Sequence, residues 1–116
     1  MSQATPRTFG PVIDVRRPRA PAHLSSAAKR WWRSIVEEFD LEPHHVQVLT
    51  AAAEAFDRKE EARRILAEEG IVLRNENGAR VAHPAVRIED LAAVRMAGLI
   101  RELGLDGAPG PEGRER

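Results

Sequence analysis

Between Pro43 and Gly70 the chain runs for 26 residues with neither proline nor glycine. No other feature constrains the fold of so short a chain as much. Proline suits the first turn of a helix, where its missing N–H has no helical partner, and glycine takes the backbone turn that ends one. The stretch LEPHHVQVLTAAAEAFDRKEEARRILAEEG therefore reads as one long helix. It carries two apolar stripes at the helical period. Val46, Leu49, Ala53 and Phe56 form one; Val48, Ala52, Ala55, Ala62 and Leu66 form the other, with Lys59 interrupting it. One stripe is enough to dock a helix on its own domain. A second stripe rich in alanine permits close approach of another helix, either from the same chain or from another copy. The pattern leaves those two readings even.

The same punctuation organises the rest. Ser25 or Ser26 can cap a first helix running to about Phe39. On it Ala28, Trp31, Trp32, Ile35, Val36 and Phe39 share one broad face, with Lys29, Arg30 and Arg33 on the opposite side. Two adjacent tryptophans at the head of an apolar face are expected to pack, a base-stacking platform being the alternative. Asn77-Gly78, set between IVLR and ARVA, signals a tight turn between short strands. Pro84 and Gly104 bracket a third helix, whose wide apolar face holds Ile88, Leu91, Ala92, Met96, Leu99, Ile100 and Leu103. Pro6, Pro11, Pro18 and Pro21 oppose regular structure at the start, and Gly107, Pro109, Gly110, Pro111 and Gly113 do so at the end. The expected fold is mainly α. It has three long helices, a small β-hairpin between the second and third, a flexible basic arm over 1–22, a helical oligomerisation core over 23–106 and a flexible tail over 107–116.

Net charge is zero, which hides a division. Residues 1–33 hold seven basic side chains against Asp14 alone, and the remainder holds eleven basic against seventeen acidic. A basic arm on an acidic body points to an anionic partner at one end. Arg16, Arg17 and Arg19 on the arm, with Lys29, Arg30 and Arg33 on the first helix, are the candidate contacts to a phosphate backbone. Catalytic patterns are missing. There is no cysteine, which excludes disulfides and cysteine-based zinc sites. No two of the four histidines stand four residues apart, and phosphate-binding glycine loops and a G-x-S-x-G elbow are absent. The acidic pairs Glu60-Glu61 and Glu68-Glu69 read as solvated helix surface. The expectation is no catalysis, no metal and no cofactor. No apolar run nears the roughly 18 residues needed to span a bilayer, and the start lacks an apolar signal core, so the expected location is the cytoplasm.

The order of these pieces resembles the short small subunits of tailed-phage terminases. The likeness runs over residues 23–105. It is carried by the LSSAAKRWWRSIV opening, the Asp40-Leu41 step into a long helix, the EARRILAEEGIVL exit, the hairpin, the HPAV helix start and the RELGL ending. The resemblance implies a non-enzymatic subunit that assembles as a ring in the host cell cytoplasm. It further implies binding to double-stranded viral DNA near the packaging start and assistance to the large subunit, which supplies ATPase and nuclease. The chain departs from the pattern after Leu105, where DGAPGPEGRER stands in place of a basic segment. A helical oligomeric adaptor, or a DNA-binding regulator with no packaging role, is the alternative. The NENG excursion is longer than the turn of a helix-turn-helix motif, which weakens the regulator reading.

Overall fold

The structure, a computed structural model, describes residues 18–105 and 107–112. The elements are α1 (Ser26–Glu38), α2 (Pro43–Glu69), β1 (Val72–Arg74), β2 (Arg80–Ala82) and α3 (Pro84–Glu102). The molecule is mainly helical, with a two-stranded antiparallel hairpin between the second and third helices, as the punctuation predicted. α2 spans 27 residues, or about 40 Å at 1.5 Å per residue. α3 returns along it, so the molecule is elongated, 68 × 25 × 25 Å.

Each helix starts on a side chain chosen for it. Ser25 Oγ accepts the Ala28 N–H at 3.1 Å, and Asp57 of α2 accepts the Ser25 N–H at 2.8 Å. The cap of α1 is thereby fastened to α2. Pro43 sits in the first turn of α2, and Gly70 leaves its end with φ 84°. His83 caps α3: its Nδ1 accepts the Ala85 N–H at 3.0 Å, which leaves Nε2 to donate to Glu69 Oε1 at 2.7 Å. One largely buried imidazole thus ties the end of α2 to the start of α3 across the hairpin. Within the hairpin, Asn75 Oδ1 accepts the N–H groups of Asn77 and Ala79, and Gly78 takes φ 82° at the turn.

The core lies towards one end of the rod. Ala28, Trp31, Trp32, Ile35 and Val36 of α1 meet Leu49, Ala52, Ala53, Ala55 and Phe56 of α2, with Met96 and Leu105 closing it. Both tryptophans are about 1% exposed, so they pack as expected. Each indole N–H also finds an acceptor. Trp32 Nε1 donates to Thr50 Oγ1 at 3.0 Å, and Trp31 Nε1 donates to the Pro109 carbonyl at 3.3 Å. Members of both α2 stripes are buried within this one chain, because α1 and α3 both pack on α2 and its alanines let them come close. The second stripe is therefore not surplus. The surplus lies on α3: Ile88 and Leu91, expected on its buried face, are exposed, and the contact to α2 runs through Ala85, Ala92 and Met96.

The expectation of a loose tail from residue 107 does not hold for its described part. Pro111 is fully buried and Ala108 packs on the core. Glu112 accepts a hydrogen bond from Lys59 Nζ at 2.7 Å. Lys59, the residue that interrupts the α2 stripe, is only 6% exposed. Its ammonium also lies 5.5 Å from the Phe56 ring centroid and 3.6 Å from Glu60. A buried ammonium needs a counter-charge, and the tail supplies one. Burial opposes the charge on Glu112, but the hydrogen bond from Lys59, the Glu112 backbone N–H and the charges of Lys59 and Arg63 together outweigh it. They hold its carboxyl below the usual glutamate value. The final stretch, 113–116, with Arg114 and Arg116, lies outside the described residues, as does the arm over 1–17.

Candidate nucleic-acid interface

Pro18 to Ala22 run beside α1, and Ala20 packs on the core from outside. The strip between this segment and α1 is a shallow groove. Arg19, Lys29 and Arg33 line it, with Trp32 and Val36 beneath and Glu37 at its edge. Arg19 and Arg33 are exposed and Lys29 is half-buried. Lys29 and Arg33 come together because they stand four residues apart on one helical face. Arg19 joins them because the chain before α1 folds back along that face. Among the described residues no carboxylate forms an ion pair with any of these three, Glu37 included. A groove of unpaired cations over an apolar floor attracts an extended polyanion.

The remaining candidates are placed differently. Arg30 is exposed on α1 but does not line the groove, and it has interactions of its own. Arg16 and Arg17 lie outside the described residues. The tryptophans cannot serve as open stacking platforms, since both rings are enclosed and their N–H groups are occupied.

Two clusters escaped the sequence reading. Arg74 and Arg80 face each other across the hairpin, and Arg74 Nη1 donates to the Gly78 carbonyl at 2.7 Å. Only the strand register reveals that pairing. Glu42, His44 and His45 bring three donor atoms within 4.8 Å of one another at the start of α2. There His45 Nδ1 accepts the Glu42 N–H at 3.4 Å, and the amide end of a helix opposes a cation, so the trio acts as a helix start. His23 Nε2 lies 2.8 Å from Glu54, which joins the segment before α1 to α2 through a second polar contact.

The fold and this groove define a small helical-hairpin protein that presents unpaired cations beside its first helix. The family model described as phage terminase, small subunit, matches residues 28–109, and the chain belongs to that family. The match takes in all three helices and the hairpin, together with Lys29, Arg30 and Arg33, and it leaves out Arg16, Arg17 and Arg19. The family has its role in phage DNA packaging, where it is generally the non-catalytic subunit. No curated protein and no solved structure matches the chain. No helix among the described residues is long and apolar enough to cross a membrane.

Proposed function

We propose that this chain is the DNA-recognition subunit of a phage terminase. It binds double-stranded viral DNA in the host cell cytoplasm, assembles as a ring of identical copies, and loads or regulates the large subunit that holds ATPase and nuclease. It performs no catalysis itself and needs no cofactor or metal. Arg16, Arg17 and Arg19 follow the phosphate backbone from the arm, and Lys29, Arg30 and Arg33 meet it from α1. The observation that carries this reading is the gathering of Arg19, Lys29 and Arg33 in one groove with no carboxylate partner among the described residues. Cations already neutralised in the folded chain would release little on meeting DNA, whereas unpaired ones displace condensed counterions from the duplex.

The test uses two triple variants, one with Arg16, Arg17 and Arg19 changed to alanine and one with Lys29, Arg30 and Arg33 changed. Binding to a fluorescent duplex is followed by anisotropy over a salt series. Both variants should keep the parent's helical signal and bind more weakly at moderate salt. The slope of log affinity against log salt should fall by about 0.9 for each phosphate that the variant no longer neutralises. Parent-like affinity and slope in both variants would end this assignment. Capture of an acidic protein in place of DNA would support the adaptor reading.

A further inference from the structure

The exposed large apolar side chains of the described fold are concentrated in one region. Ile88, Leu91 and Val94 are 45%, 55% and 70% exposed, and they follow one another at three-residue steps along the outer side of α3. Ile71, Val72 and Val81 of the adjoining hairpin are exposed as well. A two-stranded hairpin has little stability without a covering layer, and nothing within the described residues covers this one.

Charge on the same surface decides what can cover it. Arg87 and Arg95 stand one turn to either side of Leu91, and both are exposed. An antiparallel, two-fold pairing of α3 with itself through Leu91 would set Arg87 of each copy against Arg95 of the other. Sliding the pairing to centre on Val94 would set Arg87 against Arg101. Like charges in that position disfavour a self-complementary contact. The outer face of α2 has the opposite character. Glu61 and Glu68, seven residues apart, are exposed and in no ion pair among the described residues. Their separation along the axis is about 10 Å and that of Arg87 and Arg95 about 12 Å, which is within the adjustment of long side chains.

We propose that the outer face of α3, with Ile88, Leu91, Val94 and the hairpin's Ile71, Val72 and Val81, receives α2 of a second copy of this chain in a head-to-tail contact. Arg87 and Arg95 of one copy then meet Glu61 and Glu68 of the next. A head-to-tail contact repeats in one direction, so it closes into a ring or continues as a filament. This rests on the terminase reading only in that the chain is taken to self-assemble.

The test combines two blocked variants of the full chain, with mass measured by light scattering and fold by circular dichroism. One blocks α3, with Leu91→Asp and Val94→Asp; the other blocks α2, with Glu61→Arg and Glu68→Arg. The altered side chains are exposed, so both variants should keep the parent's helical signal. Each alone should be monomeric where the parent is a large oligomer. An equimolar mixture should stop at two chains, one of each, because one intact contact remains available. A chain carrying Arg87→Glu and Arg95→Glu together with the α2 block should recover the parent's mass. A parent monomeric over a wide concentration range overturns the proposal, as do variants that keep the parent's mass or a mixture that stays monomeric. Duplex binding measured on the same samples separates the two ideas. Assembly without DNA binding removes the recognition reading alone, and a monomer that binds DNA removes this interface alone.

Discussion

Replacing Glu112 by glutamine leaves the shape of the tail intact and removes the charge that faces Lys59. A hydrogen bond to a charged group contributes about 1.5–3 kcal/mol. The Glu112 side chain is 53% exposed, so solvent screens part of that contribution, and Glu60 stays near the ammonium. The expected loss is therefore about 1–2 kcal/mol. For a domain of this size it would lower Tm by roughly 4 °C or more. The pH dependence has a definite sign. Glu112 has a folded-state pKa below its ordinary value, so its contribution is complete above the unfolded pKa of about 4.3 and disappears as pH falls through the lower folded value. The parent should lose this increment on acidification, and Glu112→Gln should not. Urea melts from pH 7 down to acid pH measure both effects. Lys59→Met supplies the control: it puts an apolar chain of similar length into an apolar stripe and should be neutral or stabilising. In that background Glu112→Gln should cost almost nothing. The reasoning fails if Glu112→Gln matches the parent at neutral pH, or if its cost is the same with Met at position 59.

Trp32→Ala should cost about 3–5 kcal/mol, since the ring is almost wholly enclosed and its N–H is bonded to Thr50; chemical denaturation measures it. If the variant instead folded as stably as the parent and lost only DNA binding, the ring would be a stacking surface. His83→Ala removes the cap of α3 and its bond to Glu69, and should lower stability by about 1–2 kcal/mol in the same assay.

What the sequence made legible is what local chemistry dictates. Pro43, Gly70, Asn77-Gly78 and Pro84 each act within a turn or two of themselves, and they set the order and bounds of α2, the hairpin and α3. The tryptophan face of α1 was readable for the same reason. Contacts between residues far apart in the chain were not. The bond from Lys59 to Glu112 joins residues 53 apart, and no periodicity announces it. Periodicity also could not say which arc of the wide apolar face of α3 meets α2. The small side chains Ala85 and Ala92 take the contact, which leaves Ile88 and Leu91 outside. In the candidate interface, helical spacing joined Lys29 to Arg33. It also joined Arg30 to them, whereas the groove takes Arg19 in its place, because the path of Pro18 to Ala22 is set by tertiary packing.

The placing of the core near one end of α2 has a consequence for how the chain can change. Cohesion is concentrated where α1, the first part of α2 and the Leu105–Pro111 segment interlock, and the enclosed large side chains Trp31, Trp32, Ile35, Leu49 and Pro111 all belong there. The far end holds its form through backbone hydrogen bonds, the His83 tie and small buried residues such as Ala62 and Ala85. Substitutions on the outer side of that far end meet few constraints from folding. A lineage of such chains could therefore revise what this end touches, over many generations, while the interlocked end keeps every intermediate sequence folded.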